Sequence, residues 1–213
     1  MNLLNNAVKE EVLIDNLLNV KNNDNMFEKL TTLQNEVSVG FNTKVIAITS
    51  IKNDKLAGAF SKALADAYNL NGSSTLIIDA NLYNPCLEEA LGLKGKESDS
   101  VAITDNALSG SIRLVELDKK AGIVCLDKQI YPSDVYKNKV IHKLINENKD
   151  KYEHIVVLVP SVKKHKEVTL LKDVIDSILL VTQRDINKKE EIYNALCFFN
   201  EAGLPIAKTI ILK

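Results

Sequence analysis

No cysteine in this sequence stands in a CxxC pair. Cys86, Cys125 and Cys197 are an odd three spread far apart, which argues against a disulfide framework or a thiolate metal site and leaves them as buried or incidental thiols. His142, His154 and His165 show no ligand spacing either, and His154 merely stands before an apolar run, so no nucleophile–histidine–acid set can be assembled from them. Charge of one sign is lacking as well. The net charge of −1 gives no overall field that would favour nucleic acid or an anionic membrane. No apolar run reaches the roughly 18 residues that would mark a membrane span. The start, Met1-Asn2-Leu3-Leu4-Asn5-Asn6, has neither the basic flank nor the long apolar core of a secretory signal. A cytoplasmic location is expected, with any recruitment to the membrane supplied by a partner.

What is present is the alternation of an α/β domain. With 213 residues, 46% apolar and 26% charged, the chain is long enough for one sizeable globular domain. Continuous β-branched runs over Lys44–Thr49, Ser74–Asp79, His154–Val159 and Ser177–Val181, with further candidates at Gly122–Leu126 and Ala207–Leu212, have the pattern of strands covered on both faces. Helical patterns over Leu56–Leu70, Ser133–Asp150 and Lys188–Ala202 lie between them. Strands alternating with helices require right-handed crossovers, and hence a doubly wound, mostly parallel sheet between two helical layers. Ser133 is the expected N-cap of its helix. Gly203 just past the last helix, followed by Pro205, is a helix stop.

Residues 1–40 read as a separate helical arm preceding the α/β domain of 41–213. Leu3, Leu4, Ala7, Val8, Leu13, Ile14, Leu17 and Leu18 form an apolar stripe at helical spacing. Asn22-Asn23-Asp24-Asn25 breaks it, and a second helix is expected over Phe27–Val37. The polar face mixes Lys9 with Glu10 and Glu11, unlike a basic membrane-surface helix. The stripe would serve a partner or pack on the edge of the chain's own sheet, and the second is expected.

The loop "TSIKNDKLAGAF", residues 49–60, follows the first strand, where a phosphate cradle would sit. A working cradle needs glycines that turn backbone N–H groups toward phosphate, a lysine for the β and γ phosphates, and a hydroxyl on Mg2+. Here Lys52, Asn53, Asp54, Lys55 and Leu56 make the turn without a glycine, and Ala57 and Gly58 stand where lysine and hydroxyl belong. Asp54 also brings a negative charge to the phosphate position. The second strand ends in Asp79, with Asn81 two residues on; its plain reading is a carboxylate that caps the loop.

The stretch "KVIAITSIKNDKLAGAFSKALADAYNLNGSSTLIIDANLYNPCLEEALGL" resembles the bacterial tyrosine kinase (BY-kinase) family of capsule and exopolysaccharide loci, P-loop proteins of the wider MinD/ParA type. On that family's loop pattern, TS-x-x-P-G-E-G-K-[ST]-T, Thr49 and Ser50 match, Asn53 falls on the proline and Asp54 and Leu56 on glycines. Ala57 falls on the lysine and Gly58 on the hydroxyl residue. On the second motif, Asp-x-Asp-x-Arg, Asp79 is kept, while Asn81 and Tyr83 replace the second acid and the arginine; Pro85 and Leu91-Gly92-Leu93 match. On the third, Asp-x-Pro-Pro, "YEHIVVLVPSV" puts Leu158 on the aspartate and Ser161 on the second proline, with Pro160 kept. "YPSDVYKNKVIHKLINENKDKYEHIVV" and "FFNEAGLPIAKTIILK" carry the likeness onward. "FEKLTTLQNEV" keeps Glu28 of the family's E-x-x-R-x-x-R helix but has Thr31 and Gln34 for the arginines that pack subunits into a ring. The six tyrosines are scattered, and with Lys213 right after the last strand the family's tyrosine-rich tail is expected to be missing.

The resemblance with these losses implies a P-loop fold without its catalysis. Such a chain would be a pseudokinase acting as a regulatory or scaffold partner in capsule or exopolysaccharide assembly, bound to a membrane polysaccharide-assembly protein or an active kinase paralogue. It implies no nucleic acid, no metal, no cofactor, and a monomer or dimer in place of a ring. Lys52, Asp54, Lys55, Ala57, Gly58, Asp79 and Asn81 would then be a degenerate nucleotide site. One alternative is a divergent ATP-dependent kinase or ATPase in which Lys52 or Lys55 reaches phosphate and Asp79 serves Mg2+. Another is a MinD/ParA-like positioning accessory.

Overall fold

The computed structural model describes residues 11–41, 43–90, 99–100, 112–118 and 120–212. Residues 11–18 are helical (α1), and a 3-10 turn at Val20–Asn22 leads into α2 (Asp24–Phe41). Asn23 starts α2, its Oδ1 accepting the Met26 N–H at 3.1 Å. The asparagine-rich break expected near residue 23 is therefore a helix boundary. Leu3, Leu4, Ala7, Val8, Lys9, Glu10, Leu91, Gly92, Leu93 and Lys213 lie outside the described residues.

From there strands and helices alternate: β1 (Val45–Ser50), α3 (Asp54–Leu70), β2 (Thr75–Asp79) and α4 (Leu87–Ala90). Next come β3 (Asp99–Ser100), β4 (Ile112–Asp118), β5 (Ala121–Leu126), α5 (Pro132–Lys137), α6 (Val140–Asn148) and β6 (His154–Leu158). A 3-10 turn at Glu167–Leu171, β7 (Ser177–Gln183), α7 (Lys189–Glu201) and β8 (Ile206–Leu212) complete the chain. The eight strands form one sheet in the order β3-β4-β5-β2-β6-β1-β7-β8. Neighbours from β5 to β8 are parallel, and β3 and β4 add an antiparallel margin. The fold class is as the run pattern predicts. From β1 the chain crosses to β2 on one side, and from β6 it crosses to β7 on the other, so the winding reverses between β1 and β6. Ligands of doubly wound sheets bind outside the strand ends at that reversal.

Burial on both faces explains the continuous apolar runs. Every residue of β1, β2 and β7 is buried. Ile46, Ile48, Ile77 and Val156 pack under Phe60 and Leu64 of α3, together with Leu13 and Leu17 of α1 and Leu30 and Val37 of α2. Val45, Ala47, Ile78 and Val157 face the other way, toward Tyr136, Ile141, Leu144 and Phe199. The amino-terminal helices thus belong to the α3 layer, as their apolar spacing predicts. α7 ends as expected: Gly203 is left-handed (φ 67), and Leu204 N–H reaches Phe199 O at 2.9 Å while Gly203 N–H reaches Asn200 O at 3.0 Å, closing the helix.

Two expectations need correction. The helix expected over Ser133–Asp150 is two helices, α5 and α6, broken at Lys139 (φ 60). Asn138 makes the last i→i−4 bond of the first, its backbone N–H (2.8 Å) and its Nδ2 (2.9 Å) both donating to Asp134 O, and Lys139 N–H then tightens to Tyr136 O at 3.1 Å. Ser133 is not the N-cap. Pro132 occupies the first turn after Tyr131, and the Ser133 hydroxyl instead donates to Glu167 Oε1 at 2.7 Å. β4 was also not expected, because charged residues interrupt "IRLVELD" and only its antiparallel place beside β5 makes it a strand.

Leu17 is fully buried in the α3-side core. Leu17→Ala should therefore cost about 2–4 kcal/mol and lower Tm by roughly 5–15 °C, measured by urea and thermal unfolding. A loss below about 0.5 kcal/mol would mean that α1 does not share the domain's core.

Candidate functional site

The carboxyl ends of β1, β2 and β6 meet the first turn of α3. Asn53 caps that helix, its Oδ1 accepting Leu56 N–H at 3.1 Å. Asp54 opens the helix, and its Oδ1 accepts the backbone N–H of Ser161, beyond β6, at 2.9 Å. Ser161 stands where the resembled motif has a proline, which would offer no N–H. The carboxylate that falls on a glycine position and the amide that falls on a proline position therefore satisfy one another.

Asp79 is buried at the end of β2 and holds the following loop by three backbone bonds. Its Oδ2 accepts from Cys86 N–H and Leu87 N–H, both at 3.0 Å, and its Oδ1 accepts from Asn81 N–H at 3.2 Å. Burial raises its pKa to about 6, further pushed up by the Asp54 charge and opposed by the three amides. Asn81 is itself buried, its Oδ1 accepting Asn84 N–H at 3.3 Å while its Nδ2 has no hydrogen-bond partner.

The loop that Asp79 pins delivers Cys86 onto α3. A Cβ added at Gly58 would lie 2.9 Å from Cys86 Sγ, 3.4 Å from a Leu87 methyl and 3.6 Å from a Leu158 methyl. The Cys86 thiol also donates to Asp54 O at 3.7 Å, and burial together with Asp79 and Asp54 pushes its pKa well up, so it stays a neutral thiol. Ala57 beside it is fully buried. Thiol, leucine methyls and alanine fill the volume under the helix start.

The two lysines of the loop go elsewhere. Lys52 Nζ lies 2.7 Å from Glu191 Oε1, and Lys163 Nζ is 2.8 Å from the same oxygen, bridging the loops after β1 and β6 to α7. Lys163 first and Lys52 second hold the Glu191 carboxyl down at about 2. Glu191, Lys163, Lys166, Asn194, Ile51 and Val162 line a cavity of about 220 Å3 there. Lys55 lines a different cavity of about 290 Å3, with Ile14, Asp15 and Leu18 of α1 and Asn84 to Cys86. Tyr83, on the resembled arginine position, stacks on His165 at 3.6 Å, and its hydroxyl meets Glu167 and, at 3.1 Å, Ser133.

Of the residues expected to form a nucleotide site, Asp54, Ala57, Gly58, Asp79 and Asn81 do gather at one point, while Lys52 turns to α7 and Lys55 toward α1. A triphosphate with Mg2+ needs a lysine, a hydroxyl and an acid around outward-facing amides. The residues present do not fit it: methyl and thiol groups occupy the lysine, hydroxyl and acid positions, and an aspartate takes an amide in the loop's vicinity. Among the described residues no cluster of three or more His, Cys, Asp or Glu side chains is placed to hold a metal ion. Cys86, Ser161 and Glu191 were not anticipated as members of this network. The signal for the first was its place seven residues after Asp79, within reach of a returning loop; Glu191 is far away in sequence and carried none.

No protein-family model matches the chain. It is similar to the tyrosine-protein kinase CpsD of Streptococcus agalactiae serotype III, 22% identical over 211 residues, 95% of this chain and 88% of that protein. In structure it is similar to the chimerical protein CapA2B2, with a TM-score of 0.72 at 17% identity over 86% of this chain and 83% of that one. The VpsO kinase domain gives a TM-score of 0.72 at 16% identity, covering 99% of this chain and 98% of its own. The MinD cell division protein of Aquifex aeolicus gives 0.53 at 21% identity, over 80% and 70%. The fold is that of P-loop proteins of the ParA/MinD type, and the resemblance to bacterial tyrosine kinases extends over nearly the whole chain.

Asp79 has a measurable signature. Its folded pKa of about 6 lies above the ordinary 3.8, so the stability it contributes is fully present below about pH 4 and is lost as pH rises through about 6. Two units correspond to about 3 kcal/mol. Compared by urea titration, the natural chain should lose unfolding free energy relative to Asp79→Asn between about pH 4 and 6.5, a difference that cancels the opposite effect of His142 and His154, whose burial lowers their pKa.

Proposed function

We propose that this chain is a non-catalytic relative of the bacterial tyrosine kinases, a regulatory or scaffold partner in polysaccharide assembly or its control that works by binding other proteins. The observation that carries this reading is the packing of Cys86 Sγ, Leu87 and Leu158 against Gly58. The space in which a P-loop neutralises phosphate charge is filled with groups that carry none. Phosphoryl transfer depends almost entirely on such charge stabilisation. The divergent-enzyme alternative draws no support from Lys52, which is held at Glu191.

The remaining surface is suited to protein contact. Ile130 and Tyr131 stand 73% and 71% exposed beside one another at the start of α5, on the same edge of the sheet as the filled site. An aromatic–aliphatic pair of this kind is the usual centre of an interface. A membrane polysaccharide-assembly protein or an active kinase paralogue is the proposed partner, and with it the proposed route to the membrane from a cytoplasmic location. Among the described residues no helix is long and apolar enough to cross a membrane.

Calorimetric titration and thermal unfolding with ATP or ADP, with and without Mg2+, test the reading. No heat and no rise in Tm are expected up to about 5 mM nucleotide, since a ligand that binds only the native state must stabilise it. A Tm rise that Asp79→Ala abolishes would overturn it.

A further inference from the structure

β8 is the last strand of the sheet: it pairs with β7 on one side, and no described strand lies beyond it. α2 and α7 pack near its two faces, and among the described residues no strand pairs with the far edge. The phase of its backbone follows from three bonds. Thr182 Oγ1 donates to Ile210 O at 2.9 Å, Arg184 N–H to Leu212 O at 2.8 Å, and Ile178 N–H to Pro205 O at 2.8 Å. The carbonyls of Ile210 and Leu212 therefore point at β7. By strand alternation Thr209 and Ile211, register partners of Leu180 and Thr182, turn both N–H and C=O outward.

Such an edge is a template for another strand, and proteins commonly guard it with charges, prolines, bulges or shortness. β8 is seven residues long and reads IAKTIIL, rich in β-branched side chains. Its irregularity falls at the start, between the partners of Ile178 and Leu179, away from the open residues. The one charge, Lys208, is drawn back to α2, its Nζ 3.1 Å from Glu36 Oε2. Ile211 is 57% exposed.

We propose that β8 is the interface of a two-fold homodimer, in which β8 of a second copy adds antiparallel and the sheet runs on through both chains. The strand is complementary to itself in one register. With Ile210 on the two-fold axis, Thr209 of each copy lies opposite Ile211 of the other, and these are the residues whose amides and carbonyls face outward. They exchange their N–H and C=O groups as hydrogen-bonded pairs. Ile210 then meets Ile210 as a close, β-branched pair, and Lys208 faces Leu212, so no lysine faces a lysine. The exposed Ile211 side chain is covered by Thr209 of the second copy. This dimer stands independently of whether the nucleotide site is lost.

Light scattering and sedimentation of the full chain at about 50 µM should give twice the chain mass, falling toward the monomer on dilution. Ile211→Pro removes an outward donor and none of those directed at β7, and Thr209→Lys places a charge on the axis-proximal edge. Each should give a monomer, while Leu70→Lys, at an exposed position on α3, should leave the dimer intact. Ile210→Cys should cross-link on mild oxidation, because facing Cα atoms in this pairing lie about 4.5 Å apart. A monomer at that concentration, a ring, or a dimer that survives both edge variants would overturn the proposal, and a dimer in which Ile210→Cys fails to cross-link would overturn its register.

Discussion

Three backbone amides converge on one buried carboxylate, and the rest of the site depends on that convergence. Asp79 accepts from Asn81, Cys86 and Leu87, which folds eight residues back over the end of β2. Without it the loop would lose the constraint that brings Cys86 and Leu87 onto Gly58. Burying a charge is costly, and here the cost is visible as a carboxyl whose pKa rises despite three donors. Its retention is explained by the number of otherwise orphaned amides it satisfies, each of which would carry its own penalty if left buried and unpaired.

The same economy of amides separates this loop from a phosphate cradle. A glycine-rich cradle leaves N–H groups pointing outward for a ligand to satisfy. In this chain the neighbouring groups find partners at home: Leu56 N–H on Asn53 Oδ1, Ala57 N–H on Asn53 O at 3.2 Å, Ser161 N–H on Asp54 and Val162 N–H on Ser50 O at 3.0 Å. Side chains that are themselves acceptors stand where phosphate oxygens would be.

Much of the fold was legible because buried parallel strands leave an unmistakable mark. Six continuous apolar runs correspond to β1, β2, β5, β6, β7 and β8 within a residue or two, and the helix stop at Gly203 was a local matter of backbone handedness. What escaped was decided by tertiary context. β4 has no apolar run of its own, and α5 and α6 are split where Lys139 turns left-handed. Ser133 was drawn from capping duty by Glu167, which lies 34 residues away. At the site, sequence could show that lysine, hydroxyl and acids were missing, and it pointed to Asp79 as either catalyst or cap. It could not show that Cys86 takes the vacated space or that Lys52 answers to Glu191, because both pairings cross from one element to another.

The losses at the three motifs are coupled physically, and this decides how the site should be understood. A Cβ at Gly58 would force the Cys86 thiol to shift, and Leu158 adds a methyl near the same point. Cys86 is in place because Asp79 holds its amide. Asp54 is tied to Ser161, whose amide exists only because that position is not proline. Restoring a single lost group would therefore meet its neighbours: a hydroxyl at 58 would meet the thiol, and a carboxylate at 158 would be buried among Ile46, Ile77 and Val156 in the α3-side core. A site that had lost one group at random would be a cradle with a gap. Here the thiol of Cys86 and the methyls of Leu87 and Leu158 lie against the helix start, and Asp54 and Asp79 are engaged by amides of their own chain.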